Sequence, residues 1–317
     1  MTSEYRHIPV LLAECLEHLN LQPQHTFVDA TLGGAGHSLE VARQLGPQGT
    51  LIGIDQDDAA HAAAKRLNEL PDEQRPNIEL VHGNFGDMDE LLLQCEVPGV
   101  DAFLFDLGVS SPQLDVKARG FSFKENGPLD MRMDPGNQTL TAAEVINTYN
   151  ATDLTRIIRI YSDEKWASRI ADFIVKRREQ APIETSEELV DVIKAAIPAS
   201  ARRAGGHPAK RTFQAIRIEV NSELTVLKDG LEAAVRWLNP GGRLVVISYH
   251  SLEDRIVKET MAAGANRCTC PPDLPVCVCG KKPILEVITR KPIVPSAEEV
   301  ERNPRARSAK LRVAQKL

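Results

Sequence analysis

The sequence predicts an α/β chain: a doubly wound parallel sheet carrying an inserted, all-helical domain. Three observations predict it. Short apolar runs alternate with helical segments between residues 26 and 106. That rhythm is lost from 113 to about 211, where only turns and helices are legible. It resumes with a helix, a buried-type strand and another helix from about 213. Alternating strands and helices are the signature of a parallel sheet with crossover helices.

The elements follow in order. Ile8 to Leu19 has apolar residues at helical spacing and reads as an opening helix. Thr26–Thr31 is a first strand, ending in the turn Leu32-Gly-Gly-Ala-Gly-His37, with a helix from there to Leu45, closed by Gly46-Pro47. Thr50–Asp55 is a second strand, with a helix over about Asp57–Leu70; Ile78–His82 is a third and Val100–Asp106 a fourth. Turns fill Gly120–Gly136, followed by helices over roughly Thr141–Asn147, Ala151–Tyr161, Glu164–Gln180 and Ser186–Ala196. A long helix is expected from Phe213 to Leu238, a turn at Asn239-Pro-Gly-Gly242, a strand over Arg243–Ser248 and a helix over Ser251–Ala262. Ile284–Thr289 reads as the last strand, and the final ~20 residues, rich in Arg and Lys, as a tail mobile until bound. The expected domains are 1–112 with 213–317, and 113–212 as the insertion.

Composition narrows the function classes. The chain has 317 residues, 4% aromatics and a net charge of −6. It shows no apolar run of membrane-spanning length and no signal-type N-terminus, so a cytoplasmic protein with reduced thiols and no membrane partner is expected. Charge is uneven. Residues 1–112 hold 5 Lys/Arg against 18 Asp/Glu, whereas 267–317 hold 11 against 5. Val192–Ile218 holds six Lys/Arg and no acid. Such a segment fits a phosphate-binding face, or a merely solvated basic surface.

Three features fall at the carboxyl ends of the predicted strands, where a doubly wound sheet builds its ligand crevice. Asp29-Ala-Thr-Leu-Gly33-Gly34-Ala35-Gly36-His37 is a glycine-rich turn before a helix. Asp55 ends the second strand and can accept hydrogen bonds from both hydroxyls of a ribose, or cap the following helix, as Asp57 also can. Phe85, after Asn84, can cover an adenine face or simply fill the core. An acid before the glycines, without a clean Gly-x-Gly-x-x-Gly pattern, favours S-adenosylmethionine over a dinucleotide.

Asp106-Leu-Gly-Val-Ser110-Ser111-Pro-Gln113 follows the fourth strand. Exocyclic amines of bases are poor nucleophiles because their lone pair is delocalised into the ring. A carboxylate (Asp106), a hydroxyl (Ser110 or Ser111) or a carbonyl accepting the amine protons frees that lone pair. The methyl then passes by in-line displacement, accelerated mainly by alignment. The alternative is a Ser-Pro turn that only leads into the insertion.

At these residues the chain resembles the ribosomal small-subunit RNA cytidine N4-methyltransferases, the RsmH or MraW family. The resemblance runs over almost the whole chain, through His7–Leu12, Asp29–Ser38, Asp106–Asp115, Arg119–Phe123, Gly127–Asp134, His207–Arg217, Ser248–Arg255 and Asn303–Ser308. It implies a class I methyltransferase (Rossmann-like) fold with an inserted helical recognition domain. It implies N4 methylation of a cytidine in the decoding region of 16S rRNA, within the assembled small subunit, and leaves a homodimer open. It also implies donor contacts around Gly34 and at Ala35, Gly36, His37, Asp55, Phe85, Asp106 and Gln113. Ala35 stands where some members have glycine, which is tolerable if its φ is negative.

A base inside an RNA helix hides its amine edge, so an unpaired or extruded nucleotide is expected. Arg202, Arg203, Lys210, Arg211 and Arg217 are candidates for the RNA backbone. Tyr249 or His250, just past a strand, can stack on the target base; a core tyrosine and a hydrogen-bonded histidine are the alternatives. Cys268, Cys270, Cys277 and Cys279 invite a zinc site, but the strained Cys-x-Cys spacing and three intervening prolines favour a reduced hairpin, and no metal is expected.

Overall fold

A computed structural model describes residues 9–58, 65–203, 206–266, 270, 276 and 278–317, the side chains of Ser111, Pro112 and Arg203 excepted. The chain divides into two compact units: one runs through Gly108 and resumes over Leu224–Leu317, and the other is Val109–Glu223.

The first unit is built on seven strands: β1 (Thr26–Asp29), β2 (Thr50–Asp55), β3 (Asn77–His82), β4 (Val100–Asp106), β5 (Leu238–Ser248), β6 (Leu285–Val287) and β7 (Lys310–Lys316). Their order is β3-β2-β1-β4-β5-β7-β6. The first five are parallel, and β7 runs antiparallel between β5 and β6. This is the expected doubly wound, Rossmann-like sheet. The central strands are apolar on both faces because helices cover both. Phe27, Leu51, Leu104 and Val245 meet the helices Leu12–Leu19 and Gly36–Gln44 on one face. Val28, Ile52, Phe105 and Val246 meet Met88, Leu92, Leu227 and Leu231 on the other. All strand ends that carry Asp29, Asp55, His82 and Asp106 therefore open on the same edge of the sheet.

The carboxyl-terminal reading needs correction. Leu285–Val287 is the sixth strand and not the last, and the basic tail is no mobile segment: Lys310–Lys316 is β7, with Leu311, Val313 and Ala314 buried. Its cationic character misled because the charges are taken up internally. Arg312 Nε donates to Asp254 Oδ1 at 2.6 Å and Lys310 Nζ to Oδ2 at 3.2 Å.

Three further readings change. The helix expected over Phe213–Leu238 breaks at Ser222, φ 50°, into Lys210–Asn221 and Glu223–Trp237. At the end of the first of these helices the Asn221 side chain accepts from Met133 N–H and donates to the Met131 carbonyl. Asn239–Gly242 does not turn the chain but lies within β5, where the pairing to β4 shifts register between Val100 and Ala102. The bulge absorbs the proline and glycines without ending the strand. The opening helix starts at Leu12, after Leu11 at φ 53°; Ile8 lies outside the described residues. So do 59–64, in the helix expected over Asp57–Leu70, of which 65–67 are helical.

The second unit is helical, and its described residues form no strand longer than the bridge Pro128–Thr185. Its main helices are Ala142–Thr148, Ala151–Ser162, Ala167–Arg178, Ser186–Ala196 and Lys210–Asn221. Capping boxes start two of them, Thr141 with Glu144 and Thr185 with Glu188. One core, including Met131, Ile157, Ile170, Ile193 and Ile216, holds them together. Among the described residues, no helix is long and apolar enough to cross a membrane.

Candidate active site

The turn after β1 is shaped by its own side chains. Asp29 is buried; it accepts the Ser38 hydroxyl at 2.6 Å and the Thr31 N–H at 3.1 Å. Burial pushes its carboxyl up, against those hydrogen bonds. It therefore braces the loop from behind. Gly34 faces open space, with no atom within 4 Å of where a Cβ would stand. Gly36 is small for another reason than ligand approach: a Cβ there would come within 2.7 Å of the Pro9 ring. Ala35 stands at φ 52°, so the condition that would make its methyl comfortable is not met.

Asp55 is held by two amides. Its Oδ2 accepts from Gly33 N–H at 2.7 Å, which ties the glycine turn to β2, and its Oδ1 from Asp57 N–H at 2.8 Å. Burial nevertheless dominates and pushes its carboxyl up to about 6. Such a carboxylate gains from any further donor. Asn84 caps the next turn through Gly86 N–H and donates to Gln56 Oε1 at 2.8 Å. Phe85 is half-buried, edge-on to Phe105 at 5.5 Å. Its ring fits because Gly230 is bare; a Cβ there would reach 2.7 Å from the ring edge.

Asp106 joins these parts. Its N–H donates to Thr31 Oγ1 at 2.7 Å, linking the end of β4 to the glycine turn. Its Oδ1 accepts the Tyr249 hydroxyl at 2.7 Å, and its Oδ2 lies 3.7 Å from His37 Nδ1. His37 Nε2 faces the Val10 carbonyl at 2.9 Å, so that nitrogen carries the proton. Burial, then the charge of Asp106, push the Tyr249 phenol well up, and it stays a donor. The same two causes raise the Cys15 thiol, which is thus no nucleophile.

The two strand-end residues expected to stack on a base both make polar contacts. Tyr249 is partly buried against Asp106, and His250 caps the helix Ser251–Ala265 with its ring 3.0 Å from Glu253. Ser110 and Gln113 belong to the second unit, where Ser110 N–H donates to Gln113 Oε1 at 2.9 Å. Ser111 opens the short helix Ser111–Asp115, its side chain outside the described residues. Arg202 and Lys210 are exposed. Arg211 is more than half exposed and reaches Glu164 at 3.8 Å. The Arg217 guanidinium grips Glu223 through two 2.7 Å bonds and is 15% exposed. The Arg203 side chain, Cys268 and Cys277 lie outside the described residues; Cys270 and Cys279 are thiols.

Sequence reasoning missed Thr31, Ser38 and the Tyr249–Asp106 bond. A signal for the last existed. Ile247 pairs with Asp106 once β4 and β5 are neighbours, which brings Tyr249, two residues on, above the carboxylate.

A sequence model described as the MraW methylase family matches residues 4–317. A protein of Symbiobacterium thermophilum named ribosomal RNA small subunit methyltransferase H is 54% identical over 314 residues, covering 99% of this chain and 97% of its own. Proteins of the same name from a Paenibacillus species and from Ruminiclostridium cellulolyticum are 53% and 51% identical, covering 99% of this chain and 100% of theirs.

Proposed function

The chain belongs to the MraW methylase family, and on that premise we propose that it methylates the N4 amine of a cytidine in the decoding region of 16S rRNA, within the assembled small subunit. The methyl donor is S-adenosylmethionine. When bound, it supplies an electrophilic methyl open to direct in-line displacement. The residues present fit it. The open side of Gly34 leaves room beside the backbone of Ala35, Gly36 and His37. Asp55 is a raised, mostly buried carboxylate that hydroxyl donors from a ribose would stabilise as the anion. Phe85 offers a half-buried ring to an adenine. Asp106 completes the donor contacts of this unit.

Asp106 is also the proposed acceptor for the amine. Tyr249 at Oδ1 and His37 beside Oδ2 hold the carboxylate in place, and it draws an amine proton and localises the nitrogen lone pair. Ser110 and Ser111 are the secondary acceptors in the same turn. Arg202, Arg203, Lys210, Arg211 and Arg217 are the phosphate contacts, Arg217 being paired with Glu223 as well. The observation that most supports this reading is the bond from Asp106 N–H to Thr31 Oγ1, because it fixes the acceptor to the donor loop.

The test is methyl transfer from labelled S-adenosylmethionine to small subunits from cells lacking the modification, followed by nucleoside analysis. The label is expected on N4-methylcytidine. Label on protein, on a ribose or on a base carbon contradicts the proposal.

A further inference from the structure

One aromatic column in the second unit has no part in that reading. Phe213 is buried in the core of the unit, and Phe123 packs edge-on against it, with centroids 6.0 Å apart. His207 is stacked on Phe123 at 4.6 Å with an interplanar angle of 25°. The column therefore runs from core to surface and ends in an exposed imidazole.

The imidazole is also oriented. Ala209 N–H donates to Nδ1 at 3.3 Å, which leaves the proton on Nε2. Burial and the charges of Lys194 and Lys124 hold the ring below the usual histidine range, so it is neutral near pH 7. Lys124 and Lys210 are exposed, and Lys194 is partly so. A flat neutral ring, backed by a fixed ring and set among ammonium groups, combines the two things single-stranded nucleic acid needs: a π-face for a base and cations for its phosphates.

We propose that His207, stacked on Phe123, is a platform for an unpaired nucleobase of the RNA, with Lys124 and Lys194 serving its flanking phosphates. It is a nucleotide-binding site on the helical unit. This rests on the reading of RNA as substrate and adds where a second nucleotide is held. Stacking tolerates any base, so the site contributes affinity and register without reading sequence.

The test uses the full chain and a fluorescein-labelled, unstructured oligocytidine RNA, read by anisotropy, with KM for unmethylated small subunits read in parallel. His207→Ala is expected to weaken oligonucleotide binding by about tenfold, the lower half of the range for loss of one base–aromatic stack. It should raise KM while leaving kcat and the donor Kd unchanged. His207→Trp keeps a π-face and should retain wild-type affinity, which a purely structural role of His207 does not predict. Wild-type RNA affinity in His207→Ala overturns the proposal, as does His207→Trp binding as weakly as the alanine variant. If wild-type protein transfers no methyl to any RNA, the functional reading falls, while the binding comparison still decides the platform.

Discussion

At Ala35 the backbone sits at φ 52°, a left-handed conformation in which a Cβ costs about 1–2 kcal/mol. Ala35→Gly removes that strain but gains freedom in the unfolded chain, so a net stabilisation of about 0.5–1 kcal/mol is expected from urea unfolding. A less stable variant would mean that the methyl contributes more through packing than it costs in strain. Asp55 carries a pH prediction. Its carboxyl is raised to about 6 by burial. A raised acid in the fold contributes stability below the unfolded value, and that contribution is lost as pH rises toward 6. Ribose hydroxyls bind the ionised form, so donor affinity should be full above pH ~6 and fall by about tenfold per unit below it. Asp55→Ala should weaken donor binding and flatten that profile; calorimetry showing neither would remove Asp55 from the donor site. Tyr249→Phe should lower kcat by about tenfold with donor Kd unchanged, because one oriented hydrogen bond to Asp106 is lost. An unchanged kcat would make the bond incidental.

The elements were unevenly legible. β1, β2, β4 and the apolar half of β5 could be read from their runs alone, because a strand buried on both faces is apolar throughout. The helices Ala142–Thr148 and Ser186–Ala196 announced their starts through Thr141 and Thr185. β7 could not be read, since Lys310, Arg312 and Lys316 mimic a surface tail. Its charge is tolerated because Asp254 sits opposite Arg312. Burial alone would raise Asp254; hydrogen bonds from Arg312 and Lys310 outweigh it and hold the carboxyl low. Breaking such a pair strands a charge, so Arg312→Ala should cost about 3 kcal/mol in thermal or urea unfolding. A cost below the surface-pair range, about 1 kcal/mol, would show that β7 is held by Leu311 and Val313 alone. The break at Ser222 was likewise invisible, because no glycine or proline marks it and the bonds of the neighbouring Asn221 to Met131 and Met133 are distant in sequence.

At the scale of the whole molecule, the division of labour was legible as charge. The strand-forming segment to residue 112 is strongly acidic, and the basic run Val192–Ile218 falls within the helical unit. What the sequence hid is which cations are spent internally: Arg217, Lys310 and Arg312 are paired, whereas Arg202 and Lys210 face outward. The helical unit has a core of its own, so Val109–Glu223 should fold as an isolated helical fragment with a cooperative melt by circular dichroism. A fragment without a cooperative transition would show that its core needs the rest of the chain.

The central claim is that Asp106 receives the amine. Single-turnover methyl transfer by Asp106→Ala, with donor Kd measured on the same protein, tests it most directly. Loss of a transition-state acceptor predicts a rate at least about a hundredfold lower, far beyond any change in donor affinity. A rate equal to the wild-type value would contradict the account.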